Sequence, residues 1–370
     1  MSEVSMTGST PRGAEGAMGR GYARHSRVQH RADDYGMPLL RRAVDAAPLP
    51  ADGEPFRVAD LGAAAGTNSL DPMRLVVEGI RGRTGEATPV TVVHTDIPAN
   101  DFNTMFATVM SSPGSYAREP QVFAFAEARS FYEPLFPPAE LHLAWSAIAV
   151  HWLSRVPGPV PGHIFSTRAT GEVRRAFEEQ ARTDWESFLT HRARELCPGG
   201  QLVVLGGAAA DDGSSGAEAL MDTADAVLAD LVRQGLITPD EHANMTIPTW
   251  NRSREEFLAP LRAGPVADVL RLEEHDLVVL PDIHLEELRR TGDVQGFAER
   301  VTGFFRAAFQ PSLLSALDTP PGRDGAAAGP GDRADEVAEA FAAAMRARIA
   351  ADPEAVETHW HVVPLRITRV

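Results

Sequence analysis

The sequence contains no lysine, a single cysteine and no run of about 18 apolar residues, the length that a membrane-spanning helix needs. The single cysteine, Cys197, excludes an internal disulfide, which is typical of a reducing cytoplasm. Because Cys197 precedes Pro198 at a predicted helix end, we interpret it as an ordinary thiol without a chemical role. The N-terminus also lacks the apolar core of a secretory signal. These absences predict a cytoplasmic protein that does not span a membrane.

Positive charge is also scarce in this chain. Its 35 basic residues, all of them arginine, face 51 acidic residues, which gives a formal net charge of −16 and a pI near 5.2. A nucleic-acid binder needs a basic surface to meet phosphates, so this balance argues against nucleic acid as a partner. The hydrophobic content of 44% is ordinary for a globular enzyme.

Strand-like and helix-like segments alternate through the first half of the chain. Strands are predicted at 57–60, 90–96, 122–126 and within 141–152, with a fifth after a turn in 198–207; helices are predicted at 71–82, 100–110 (capped by Asn100 or Asp101) and 171–196. Such alternation indicates an α/β fold with a mostly parallel sheet covered by helices. The ligand site of such a sheet lies at the carboxyl ends of its strands.

Helical periodicity dominates the second half, from residue 207 to 309, with a short strand expected near 268–280. A last strand at 360–370 contains Pro364, which favours a sheet edge or a bulge because proline has no N–H to donate. The predicted domains are a flexible tail at 1–20, a sheet domain at 21–206 and 335–370, and a mostly helical cap at 207–334.

The stretch "FRVADLGAAAGTNSL" (56–70) is a strand that ends in Asp60 and enters a loop with Gly62 and Gly66. The dinucleotide fingerprint has a third glycine and an acidic residue about 20 positions further on. Here the next acidic strand end is Asp96, and a carboxylate before the glycines repels a pyrophosphate but can bind an ammonium group. Both features favour S-adenosylmethionine (SAM) over NAD, although a structural turn without a ligand remains an alternative for the loop alone.

Five segments together resemble the SABATH family of plant methyltransferases, which includes salicylate, benzoate and jasmonate carboxyl methyltransferases and theobromine and caffeine N-methyltransferases. They are "GYARHSRVQ" (21–29), "ADLGAAAGTN" (59–68), "TDIPANDFNTMF" (95–106), "ARSFYEPLFP" (128–137) and "WSAIAVHWLSRVP" (145–157). The resemblance implies a Rossmann-like class I methyltransferase sheet with helices on both faces, a helical cap and a homodimer. Arginine in place of lysine indicates GC-rich coding and predicts a bacterial member.

Carried over to this sequence, the family's motifs imply a site for SAM and its product S-adenosylhomocysteine (SAH). The implied cofactor residues are Ser26, Asp60, Gly62, Gly66, Asn68, Asp96, Ile97, Ser130 and Phe131. Asp96 would accept the ribose hydroxyls, and Ile97 and Phe131 would enclose the adenine. Each has a structural alternative: Ser130 as a turn residue, Phe131 as core, and Asn68 or Ser69 as the N-cap of the next helix.

The resemblance also implies that Trp152 and Gln29 hold a carboxylate of the methyl acceptor. Indole and amide N–H groups are uncharged donors, so they orient a carboxylate without neutralising it. A carboxylate needs no general base at pH 7. The predicted reaction is O-methylation of a small-molecule carboxylate, and the predicted acceptor residues are Tyr22, Gln29, Ile148, His151, Trp152 and Met221.

Two other functions remain open. One is N- or C-methylation of a heteroaromatic ring such as an indole or a purine, with His151, His25 or Tyr22 as the base. The other is a SAM-binding protein without catalysis. Taken alone, His151 and Trp152 also fit a packed aromatic pair.

The sequence departs from the family at several positions. Ile148 replaces a tyrosine, and Met221 falls where salicylate enzymes have a tryptophan, so salicylate is not the expected acceptor. Val160 and Thr246 fall where some members have asparagines near a magnesium ion. Because valine supplies no oxygen ligand, we predict no metal.

Overall fold

The computed structural model describes residues 27–317 and 330–370. The predicted tail at 1–20, Tyr22, His25 and Ser26 lie outside the described residues. Gln29 lies in the first described helix, but the side chains of residues 27–33 are likewise outside the description.

The described residues form one nine-stranded sheet. Its strands are β1 Phe56–Leu61, β2 Val90–Asp96, β3 Val122–Ala128, β4 Leu141–Ala147, β5 Leu196–Ala209, β6 Arg252–Ser253, β7 Leu270–His275, β8 Val278–Val279 and β9 His361–Arg369. The spatial order is β3-β2-β1-β4-β5-β9-β7, with β6 paired to β5 and β8 paired to β9. Strands β1 to β6 pair in parallel, whereas β9 is antiparallel to its neighbours. The α/β prediction with a mostly parallel sheet is confirmed.

Helices surround this sheet and build the cap. They are α1 Arg27–Ala46, α2 Leu70–Thr84, α3 Phe102–Ser111, α4 Gly171–Glu195, α5 Glu218–Arg233, α6 Pro239–Asn244, α7 Arg254–Arg262, α8 Ile283–Thr291, α9 Val294–Ala308, α10 Gln310–Leu314 and α11 Pro330–Ala351. The predicted apolar face of α2 is buried from Met73 to Ile80. Asp101 is the N-cap of α3, where its side chain accepts a hydrogen bond from the Thr104 backbone N–H.

The parallel register brings the carboxyl ends of β1, β2 and β4 to one edge of the sheet. Asp60 near the end of β1 pairs with His94 on β2 and with Trp145 on β4. Asp96 is the last residue of β2 and Ala147 the last of β4. The loops that follow these strands therefore meet at one place, where a parallel sheet binds its ligand.

Of the two settings predicted for Pro364, a sheet edge or a bulge, the edge is wrong, because β9 lies between β5 and β7. The Pro364 carbonyl accepts a hydrogen bond from Asp276 N–H, so its nitrogen faces the same side, where the chain turns between β7 and β8. The position without an N–H therefore faces the gap between β7 and β8. The predicted turn at 198–200 likewise lies within β5, at a shift in register between β4 and β5.

The cap core is built mainly by α5, α9 and α11. The predicted apolar face of α11 is buried there at Val337, Phe341, Met345 and Ile349. This helix was predicted within the sheet domain, but it packs on α5 and α9 instead. In contrast, β6, β7 and β8 at 252–279 join the sheet, although that stretch falls inside the predicted cap segment. Within the described ranges, no helix is long and apolar enough to cross a membrane.

Candidate active site

A cleft of about 540 Å³ opens at the carboxyl ends of β1, β2 and β4. Eight of the nine predicted cofactor residues line it: Asp60, Gly62, Gly66, Asn68, Asp96, Ile97, Ser130 and Phe131. The ninth, Ser26, lies outside the described residues. The volume falls within the roughly 300–1,000 Å³ of small-molecule sites.

The loop after β1 uses its two glycines for backbone shape and close approach. Gly62 has φ +90° and Gly66 has φ +78°, both in the left-handed region that side chains disfavour. A Cβ on Gly62 would lie 2.6 Å from Cβ of Ala149, and one on Gly66 would lie 3.1 Å from Cγ2 of Val109. Glycine is therefore required here for the loop to lie flat against its neighbours and leave room for a ligand.

Gly62→Ala should lower the free energy of unfolding by about 2–4 kcal/mol, since it adds a steric overlap with Ala149 to an unfavourable φ. The matched control is Gly85→Ala, where φ is +83° but no heavy atom lies within 4 Å of the new Cβ. That control should lose only about 1 kcal/mol. Urea unfolding of both variants measures the difference, and equal losses would show that the contact with Ala149 carries no cost.

Asp96 is held by the loop it faces. Its Oδ2 accepts a hydrogen bond from Ala64 N–H at 2.7 Å, and its Oδ1 accepts one from Ile97 N–H at 2.8 Å. Asn100 donates to the Ala64 carbonyl at 2.9 Å and so ties down the same loop. Burial raises the pKa of Asp96 to about 6, and the charge of Asp60 acts in the same direction, while the two backbone hydrogen bonds oppose them.

Asp60 is 4% exposed and is held through one oxygen. Its Oδ2 accepts from Ser69 Oγ at 2.5 Å and lies 2.8 Å from Nδ1 of His94. Ser69 occupies the N-cap position of α2, as one structural alternative predicts, but its side chain makes no capping hydrogen bond. Asp60 was predicted from the sequence, whereas His94 was not.

Ser130 and Phe131 each have a structural contact as well as a place in the cleft. The Ser130 hydroxyl accepts a hydrogen bond from Tyr132 N–H at 3.3 Å, which shapes a turn. The Phe131 ring packs edge-on against Tyr132 and Phe188, with centroid distances of 4.7 and 5.9 Å. The structural alternatives and the predicted ligand roles are thus compatible.

A second, smaller cavity of about 50 Å³ adjoins the cleft. Ile148 and Trp152 line both spaces. Aromatic side chains from the cap and the last strand supply much of the remaining wall: Phe165, Phe304, Phe309 and Trp360. Residues at the junction are the ones that can contact a cofactor on one side and an acceptor on the other.

Trp152 presents an unused donor at this junction. Its indole Nε1 is buried and has no hydrogen-bond partner among the described residues. The facing residue in a short antiparallel bridge is Thr249, which is 2% exposed and whose Oγ1 is also unpartnered within the described part of the chain. Because buried polar groups normally have partners, these two atoms indicate a site for a polar ligand group.

Ile148 has φ +49°, which is unfavourable for a β-branched residue. It follows the last residue of β4, and its N–H donates to the Leu205 carbonyl at 2.8 Å. The strained backbone turns the chain sharply between the two cavities, and such strain is typical of functional sites.

His151 also lines the second cavity, with its ring against the Cα of Gly207. Burial and the nearby Arg252 guanidinium lower the pKa of His151 to about 3. The imidazole is therefore neutral at pH 7, and it is a weak base because its conjugate acid is so unstable here.

The family profile described as SAM dependent carboxyl methyltransferase matches residues 10–319. The chain belongs to this family, which is the SABATH family. Gibberellic acid methyltransferase 2 of Arabidopsis thaliana is 28% identical over 320 residues, 79% of this chain and 81% of the relative. Probable 7-methylxanthine methyltransferase 3 of Theobroma cacao is 31% identical over 237 residues, 59% of this chain and 65% of the relative.

A solved structure of loganic acid methyltransferase with SAH matches with a TM-score of 0.75 at 22% identity. The match covers 95% of this chain and 98% of that chain, which shows the same fold. The predictions of a SABATH family member, of a class I methyltransferase fold and of a SAM-dependent enzyme are confirmed.

The cleft of this SABATH methyltransferase fits SAM. It offers carboxylate acceptors at Asp96 and Asp60, and a glycine loop that allows close approach of a ligand. In the described part of the chain, no group of three or more histidine, cysteine or acidic side chains could hold a metal ion. At the family's magnesium positions, Val160 is buried and its N–H lies 3.4 Å from Oγ1 of Thr246.

Met221 does not lie where the comparison of motifs places it. It is fully buried in the cap core on α5 and lines neither cavity. The cap has few motif landmarks, so the alignment with the family's tryptophan was least constrained there. Four residues that the sequence did not indicate line the second cavity instead: Thr249, Phe304, Phe309 and Trp360.

Proposed function

We propose that this SABATH methyltransferase transfers the methyl group of SAM to a carboxylate oxygen of a small-molecule acceptor. The observation that carries the proposal is the buried, unpartnered Nε1 of Trp152 at the junction of the two cavities. Gln29 is the second proposed donor, and its helix precedes the sheet in the chain. Both groups donate hydrogen bonds to a carboxylate without removing its charge.

SAM supplies a methyl group on a positively charged sulfur; the acceptor oxygen forms the new bond to carbon, and the electron pair of the broken bond leaves with sulfur as neutral SAH. The protein's contribution is orientation and exclusion of water. Trp152 and Ile148 form the wall across which the two ligands meet, and the aromatic cavity keeps the acceptor carboxylate poorly solvated. No proton transfer is required, since the carboxylate is already ionised at pH 7.

The basicity of His151 supports the same choice. Removal of a proton from an indole or purine nitrogen needs a base whose pKa lies near the working pH. The pKa of His151 is about 3, so it serves that role poorly. We therefore propose that His151 contacts the acceptor as a neutral ring. The competing function is N- or C-methylation of a heteroaromatic ring.

The acceptor is proposed to have an apolar body. The second cavity has aromatic walls, and its volume of about 50 Å³ is smaller than the roughly 300–1,000 Å³ of ligand sites. Entry of an acceptor therefore requires the aromatic side chains of the cap to move. The name of one relative, gibberellic acid methyltransferase 2, fits an acid with an apolar ring system.

The test is incubation of the purified enzyme with methyl-labelled SAM and a panel of matched acceptors, each carboxylic acid beside its primary amide and beside indole and purine compounds. The proposal expects label only on acids, and expects dilute base to release it. Label that resists base on an amide, indole or purine would overturn carboxylate methylation while leaving methyl transfer intact.

We also propose that Asp96 accepts the ribose hydroxyls, which makes cofactor affinity depend on pH. The pKa of Asp96 is about 6 in the free protein, and two hydroxyl donors favour the ionised form, so binding lowers this pKa and releases a proton. Affinity for SAH should therefore rise with pH up to about 6 and then level off, with a slope approaching tenfold per pH unit below that value.

Calorimetry with SAH at pH values from about 5 to 7.5 measures this dependence. The matched variant is Asp96→Asn, which has no titrating group and should bind weakly with a flat profile. A wild-type affinity that is equal at both ends of the range would show that Asp96 does not receive the ligand's hydroxyls.

We also propose that the enzyme is a cytoplasmic homodimer. The single cysteine fits a reducing cytoplasm, and the family resemblance implies a homodimer. Light scattering of the purified protein tests the dimer.

A further inference from the structure

A chain of buried hydrogen bonds extends from the cofactor cleft into the protein behind Asp60. His94 is the neighbour of Asp60 across the parallel β1–β2 pair, and it is fully buried. Its Nδ1 lies 2.8 Å from Oδ2 of Asp60, and its Nε2 is hydrogen-bonded to the hydroxyl of Tyr116. Tyr116 is 1% exposed in a short 3₁₀ turn after α3.

Proton placement in this chain follows from the chemistry of its members. An ionised carboxylate only accepts, so Nδ1 of His94 must carry the proton that it shares with Asp60. The Tyr116 hydroxyl, which can donate or accept, satisfies the other ring nitrogen, Nε2. Burial and the charge of Asp60 raise the pKa of Tyr116, so the hydroxyl keeps its proton. The imidazole ring is thus held from both sides, with Nδ1 toward Asp60 and Nε2 toward Tyr116.

Ser69 points to the same function from the other side. It is the N-cap residue of α2, where its side chain could stabilise the helix by about 1 kcal/mol, yet its hydroxyl donates to Asp60 instead. Two donors therefore hold one oxygen, Oδ2. The other oxygen, Oδ1, accepts no hydrogen bond from the described residues, and Asp60 lines the cleft.

We propose that His94, supported by Tyr116, is a positioning residue that orients the Asp60 carboxylate toward the cationic amino-acid portion of SAM and SAH. The inference rests on the proposed assignment of Asp60 to the cofactor site. The cleft is then divided in two: Asp96 receives the adenosine portion, and Asp60 receives the ammonium-bearing portion. A merely structural network under the loop would support both portions equally, so the two roles can be separated by ligand.

The experiment compares two ligands on the full-length enzyme: SAH, and 5′-methylthioadenosine, which keeps the adenosine but lacks the amino-acid portion. Affinities are obtained by competition against labelled SAH. His94→Leu should weaken SAH about ten- to hundredfold and change the affinity for 5′-methylthioadenosine less than about twofold, because a buried hydrogen bond to a charged group is lost. His94→Asn keeps an N–H donor near the position of Nδ1 and should restore most of the SAH affinity.

Ser69→Ala and Tyr116→Phe give evidence even where His94→Leu fails to fold, because each removes a single oxygen. Both should weaken SAH about two- to tenfold, again without a matching loss for 5′-methylthioadenosine. Equal losses for the two ligands, or a His94→Asn enzyme as weak as His94→Leu, would overturn the proposal. Asp60→Asn tests the assignment of Asp60 separately from the role of His94. If this variant keeps its SAH affinity, Asp60 does not bind the cofactor. If Asp60→Asn loses SAH affinity and His94→Leu does not, only the role of His94 is refuted.

Discussion

Trp152→Ala should reduce kcat/KM for the acceptor at least about a hundredfold, while SAH affinity changes less than about threefold. The variant removes a buried donor to a charged group together with the wall against which the acceptor packs. Its ring lies 6.1 Å from that of Phe309 in the cap, so the acceptor cavity loses shape as well. Steady-state kinetics with an identified acceptor and calorimetry with SAH measure the two effects.

Trp152→Phe is the matched control, because it keeps an aromatic wall and removes the N–H. It should retain the apolar contribution and lose the part of the rate that depends on the hydrogen bond, about tenfold or more. A Trp152→Phe enzyme with full activity would show that the indole N–H does not hold the carboxylate. A large loss of SAH affinity in either variant would show that Trp152 belongs to the cofactor site.

Asp96→Ala should weaken SAH at least about a hundredfold, since an ionised carboxylate that receives two ligand hydroxyls contributes two charge-assisted hydrogen bonds. The variant also leaves the N–H groups of Ala64 and Ile97 without their acceptor, which loosens the loop that lines the cleft. The effect should appear in SAH affinity at pH 7.5, measured by calorimetry.

Asp101→Ala is the matched control for charge, because it removes a carboxylate five positions away that caps α3 and does not line the cleft. It should cost stability, by about 1 kcal/mol, and leave SAH affinity unchanged. A similar loss of affinity in both variants would mean that net charge near the cleft, and not contact with the cofactor, explains the result.

Much of the fold was predictable because its signals are local. Alternating strands and helices, and carboxylates at the ends of β1 and β2, follow from short stretches of sequence. The place of Pro364 was not predictable in this way. Proline, which has no N–H to donate, is tolerated both at a sheet edge and opposite a gap between neighbouring strands. Only the pairing of β9 with β5, β7 and β8 shows which of the two places Pro364 occupies.

In the candidate site too, residues in local motifs were predictable and residues brought together by the fold were not. Residues in motifs, such as Asp60, Asp96 and Trp152, were named from sequence, and the structure brings them to one cleft and its junction with a second cavity. His94 and Tyr116 were missed, because a mid-strand histidine and a distant tyrosine meet Asp60 only through sheet register. Buried helices of the cap carry periodicity but no landmark, so the sequence pattern could not place Met221 relative to the cavity.

The most direct test of the central claim is the identity of the atom that receives the methyl group. With SAM labelled by ¹³C in the methyl group, a long-range proton–carbon correlation of the isolated product shows which atom bears the methyl. Carboxylate methylation predicts a correlation from the methyl protons to an ester carbonyl carbon. A correlation to ring carbons through nitrogen, or directly to a ring carbon, would contradict the account.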